Sequence, residues 1–192
     1  MIAARIIASA LIIVVITQLT YVALGGSGQM HIAYPIWRIE ALAALVVTLF
    51  GFVIVMRNPL AGGCLVLAGL CNLIQTGIGL SMFYQLGYGS GSAPNPVFMP
   101  VLGFSFFLYF AAKAAIGVAG VVLGTGLWRG ATGLWRLLGG AAVVVGLAAL
   151  LLNGAAMSLG LGQVPLAGAA GATAAFLVAL VLLRMPAAHD AA

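Results

Sequence analysis

Six apolar runs, each near the length a helix needs to cross a bilayer, take up most of this 192-residue chain. They fall at about 6–24, 39–56, 60–84, 101–127, 137–157 and 166–183. A helix rises about 1.5 Å per residue, so roughly 20 residues cover a hydrocarbon core about 30 Å thick. In lipid the backbone has to satisfy its own hydrogen bonds, which leaves helices or closed barrels. The runs lack the alternation of lipid-facing strands, so a barrel is not expected. The expected fold is all-α, a polytopic membrane protein with a single transmembrane domain over residues 1–192 and six spans.

Composition points the same way. Only 5% of the residues are charged, against about 25% in soluble domains, too few to build a water-facing surface. Gly25-Gly26-Ser27-Gly28, Arg57-Asn58-Pro59 and the Gly/Ser/Pro/Asn-rich stretch 87–96 break the runs apart. The first run has an arginine near its start and small residues after it, as a signal peptide would. Its long apolar stretch favours a retained helix.

With six spans, Arg5, Arg57, Arg129, Arg136 and Arg184 collect on one side, and Arg38 alone on the other. The positive-inside rule then puts both termini in the cytoplasm. The loops near 25–38, 85–100 and 158–165 face outward, and the expected location is a bacterial inner membrane. The net charge of +5 is too thinly spread for a nucleic-acid footprint. The expected partners are the lipid bilayer and a further membrane protein or a second copy of the chain.

Trp37 lies beside Tyr34 at the outer start of the second span. A tandem Gly-Leu-Trp-Arg repeat covers 126–129 and 133–136. If the connection is helical, Trp128, Arg129, Trp135 and Arg136 share one side. All these residues read as interfacial anchors. The functional alternative for the tandem repeat is a docking face for anionic lipid or a partner.

Lys113 is the only lysine, and it sits in the middle of the fourth run. A charge at a helix centre costs roughly 2.5–3.5 kcal/mol on insertion scales. Glu40 is the only acidic residue near an apolar run, so a Glu40–Lys113 pair is expected. Counting the helical rise from the cytoplasmic ends puts Glu40, Gln75, Lys113 and Asn153 at roughly 20–25 Å, with Gln18 just below at about 18 Å. Asn72 lies one turn from Gln75. Polar groups in hydrocarbon should turn inward and meet. Such a layer either lines a ligand site around Lys113 or knits the helices together. If the second helix starts near Glu40, its N-terminal dipole also favours the carboxylate.

Small residues mark close helix approach. Gly117, Gly120 and Gly124 lie in the fourth run; Gly168, Gly171 and Ala175 lie in the sixth. Such Gly-rich faces serve the bundle or a homo-oligomer equally well. Pro59-Leu-Ala-Gly62 and Pro165-Leu-Ala-Gly168 open the third and sixth spans, a spacing compatible with an inverted three-plus-three repeat.

The parts needed for chemistry are sparse. Cys64 and Cys71 are too far apart for a redox pair and read as small apolar fillers. His31 is expected in the first outer loop and His189 in the tail, so no helix should carry a histidine for haem. Met30-His31 offers two ligands, which do not make a copper site. No carboxylate pair and no Ser/His/Asp set can be drawn inside the membrane. No catalytic residue, metal or cofactor is expected. The reading is a non-catalytic accessory or scaffold subunit of a membrane complex. The alternative is a small-molecule or ion permease, or a transporter's substrate-binding subunit, with its site around Lys113. Six helices in about 190 residues is also the plan of the substrate-binding subunits of energy-coupling-factor transporters and of many accessory subunits of respiratory and photosynthetic complexes. No motif selects between them.

Overall fold

Each apolar run becomes a helix, and all but the third are longer than hydropathy suggests. The structure is a computed structural model, and it describes residues 2–25, 29–88 and 95–185. The helices are α1 (Ile2–Ala23), α2 (Met30–Val55), α3 (Pro59–Ile78), α4 (Phe98–Gly130), α5 (Gly133–Leu159) and α6 (Val164–Arg184). All six are long and apolar enough to cross a membrane, and among the described residues there is no strand. This is a multi-pass helical membrane protein. Most of the expected loop at 87–96, and His189, lie outside the described residues.

The largest departure from the expected boundaries is in α2. It begins at Met30, not near 39, and runs through Pro35. Packing explains the extra turns. Ala33, Ile36, Trp37 and Glu40 follow helical spacing, and all four are buried. Glu40 therefore lies well inside the helix and gains nothing from its N-terminus. His31 stands in the first turn of α2, exposed, and not in a loop. The third span continues past α3 as a π-helical turn, Gly79–Phe83. Such turns re-aim side chains within a helix, and here Phe83 comes to lie against the ring of Trp37.

α1, α2, α3, α4 and α6 form a ring in which each helix packs on the next and α6 closes onto α1. α5 sits outside this ring, packed on α4 and α6. Burial agrees: 61% of the apolar window of α4 is buried and only 28% of that of α5. Leu134, Leu137, Val144 and Leu151 of α5 are exposed, as are Leu42, Leu49 and Phe52 of α2. In a membrane protein these faces meet lipid.

Gly117, Gly120 and Gly124 of α4 are consumed inside the chain. A Cβ on Gly117 would come within 2.6 Å of the Gly146 carbonyl oxygen, and one on Gly124 within 2.8 Å of that of Gly139. The expected GxxxG face of α4 is thus the seam with α5 and is not free to form a dimer. Pro59 and Pro165 both sit in the first turn of their helices. Proline is favoured there because its missing N–H has no intrahelical partner to lose. That local role accounts for the shared Pro-Leu-Ala-Gly motif without any symmetry.

Candidate functional site

The polar residues of the bundle form one joint and several separate contacts. At the joint, α1 supplies two consecutive residues. The Thr17 hydroxyl lies 2.9 Å from Glu40 Oε1 and 2.9 Å from the Val14 carbonyl oxygen, with one proton to share between them. Lys113 Nζ donates to Gln18 Oε1 at 2.8 Å. Glu40 and Lys113 do not form the direct ion pair expected from charge alone; no Glu40 oxygen lies within 4.0 Å of Lys113 Nζ. α1 stands between them as a polar rung, and the two groups still act on each other electrostatically. Thr17 carries little signal in the sequence, because a threonine barely interrupts an apolar run.

Burial at the joint is nearly complete. Glu40 is 5% exposed, Lys113 4% and Thr17 8%. The stem of Lys113 lies against the backbone of α6 at Gly171. A Cβ there would stand 2.7 Å from Cβ, Cγ and Cδ of the lysine. Gly171 thus makes the space that the cation's stem occupies, which its apparent role as a helix-packing glycine did not reveal. The ammonium also sits 5.3 Å from the centroid of the Tyr109 ring, within cation–π reach.

An aromatic cluster lies one helical turn beyond the joint. Trp37 and Tyr21 face each other with centroids 6.3 Å apart. Phe83 meets Trp37 edge-on at 5.6 Å and Phe98 at 5.6 Å, and Tyr88 stacks on Phe98 at 5.6 Å. The Tyr21 and Tyr88 hydroxyls lie 3.3 Å apart. Trp37, at 9% exposure, is therefore a core residue and not the interfacial anchor expected from its position. Gly79 permits this: a Cβ there would come within 3.0 Å of the indole.

The other amides go elsewhere. Asn153 Nδ2 donates to the Ala149 carbonyl at 2.9 Å and to the Ala167 carbonyl at 3.0 Å, tying α5 to α6. Equal depth did not bring it to Lys113, because α5 lies outside the ring. Asn153 Oδ1 and Gln75 Oε1 are buried without a hydrogen-bond partner. Asn72 is buried on α3 and faces a void shared with Lys113.

A void adjoins the joint. It lies where α1, α2, α3, α4 and α6 meet, lined by Val14, Ala44, Asn72, Ala112, Lys113 and Ile116 among others. Its volume is about 30 Å³. A water molecule needs at least about 10–15 Å³, whereas small-molecule sites run to about 300–1,000 Å³. The void is of the size of a water site.

The tandem repeat is split between two helices. The chain is extended at Ala131 and Thr132, between the end of α4 and the start of α5. Trp128 and Arg129 therefore belong to α4, and Trp135 and Arg136 to α5. Arg136 reaches over the Trp128 ring at 6.0 Å, and Arg184 of α6 over Trp135 at 5.3 Å. The helical connection that would align the two copies does not form. Instead, cation–π contacts join three helix ends. Trp128 and Trp135 remain partly exposed, at 46% and 41%.

Among the described residues, no group of three or more His, Cys, Asp or Glu side chains is placed to hold a metal ion. No protein-family model, curated protein or solved structure matches this chain.

Proposed function

We propose that this chain is a non-catalytic accessory or scaffold subunit of a membrane complex, and that its buried polar joint is structural. One observation carries the reading. Among the described residues, the buried joint that holds Glu40 and Lys113 spends its groups on neighbouring helices and leaves a void of about 30 Å³. A permease or binding subunit needs a cavity the size of its substrate. The permease reading draws on one feature, the shared exposure of Lys113 and Asn72 to that void, which suits a small ion or water at most. Expressed at its natural level and extracted in mild detergent, the chain is expected to co-purify with a second membrane protein at fixed stoichiometry. Recovery as a monomer carrying a bound small molecule would overturn the scaffold reading in favour of transport.

We also propose that both termini are cytoplasmic, a reading the arginines support. Arg5, Arg57, Arg129, Arg136 and Arg184 lie at the end where α1 begins and α6 ends, and Arg38 lies near the other. In a cytoplasmic membrane this bias favours both termini inside. A cysteine at exposed Ser158, after removal of Cys64 and Cys71, should react with an impermeant maleimide in intact cells. Cysteines at Asn58 or Ala131 should not. The opposite pattern would invert the topology.

A further inference from the structure

We propose that the basic end of the bundle holds one anionic phospholipid, its phosphate at Arg184 and an acyl chain in the crevice between α4, α5 and α6. The crevice measures about 600 Å³, within the range of ligand sites. Val122, Gly126, Leu127 and Val181 supply apolar walls, and Trp135 and Arg184 line it as well. A Cβ on Gly126 or Gly130 would meet nothing within 4 Å, so both glycines open onto free space. α4 has 33 residues, about 50 Å of helix, longer than the hydrocarbon core, so its C-terminal turns reach the headgroup level.

Charge selects the occupant. The guanidinium carbon of Arg184 stands 5.3 Å from the centroid of the Trp135 ring, and that of Arg136 6.0 Å from the centroid of Trp128. A cation–π contact places a guanidinium beside a ring without using its N–H donors, and those donors bind a phosphate in a fork. Arg5, Arg57 and Arg129 add to the positive field at the same end, all exposed. The one acidic side chain among the described residues is Glu40, buried in the joint. A free phosphate would satisfy the arginine but leave the apolar walls bare. A lipid covers both.

The test uses Trp135 as the reporter, in a Trp37→Phe, Trp128→Phe background. The full chain is placed in mixed bilayers of phosphatidylglycerol and phosphatidylcholine, with bromine on the tails of one or the other lipid. Brominated phosphatidylglycerol should quench Trp135 more strongly than brominated phosphatidylcholine. Arg184→Gln should lower the preference about fivefold, what one arginine contributes near an anionic surface, and Arg5→Gln should leave most of it. Gly126→Leu, which fills the crevice without touching the core, should weaken quenching by either lipid's tail. Inorganic phosphate added to the buffer should not abolish the preference. Equal quenching by both lipids, equal effects of the two arginine substitutions, no effect of Gly126→Leu, or loss of the preference to phosphate would each overturn the proposal.

Discussion

Lys113→Met is expected to destabilise the folded bundle by about 3–5 kcal/mol, the loss typical when one member of a buried charged network is removed. Glu40→Gln should act in the same direction, because it leaves the lysine with only the Gln18 oxygen and the Tyr109 ring. Combined, the two substitutions should recover much of the loss, since the network is then neutral. Charge is what sets the scale. Neutral interhelical hydrogen bonds in membranes average only about 0.6 kcal/mol, so Asn153→Leu, which cuts a neutral tie between α5 and α6, should cost far less. Unfolding in mixed detergent micelles measures all four variants. A double variant as unstable as the sum of its parts would show that α1 insulates the two groups instead of linking them.

The second large effect is expected at the seam between α4 and α5. Gly117→Leu would drive a side chain into the backbone of α5 at Gly146 and Leu150, where a Cβ alone already comes within 2.7 Å of both. Neither neighbour can turn aside, so the helices must separate, at a cost of about 1–3 kcal/mol or more. Gly154→Ala, on α5, is the contrast. Its Cβ would meet nothing within 4 Å, and alanine favours helix over glycine by up to about 1 kcal/mol. Thermal unfolding in one detergent should show the first variant strongly destabilised and the second unchanged or slightly improved. Equal responses would mean that the seam is not close-packed.

The contrast between these sites shows what sequence can and cannot convey. Hydropathy located all six helices because lipid imposes a length on every span. It misplaced the start of α2 because Tyr34, Pro35 and Arg38 lower the average, although Ala33, Ile36, Trp37 and Glu40 already traced a buried stripe. Helical rise placed Gln18, Glu40 and Lys113 at one depth, and the structure does join them through α1. Depth says nothing about which way a residue points around the bundle. Asn153 therefore bonded α6, Trp37 turned into an aromatic core, and the Lys113 contact went to an amide and not to the carboxylate. Gly171 looked like any other packing glycine, because its role depends on a side chain from a different helix.

The most direct measurement asks whether water-borne reagents reach the polar joint. Ala44 and Ala112 line its void and are 2% and 4% exposed. Each can be replaced by cysteine, with Cys64 and Cys71 changed to alanine, and treated in the folded state with a charged, water-soluble thiol reagent. A structural joint around a water-sized void predicts no modification of either cysteine until the protein is unfolded. Modification of the folded protein from either side of the membrane would reveal an aqueous path to Lys113 and contradict the scaffold reading.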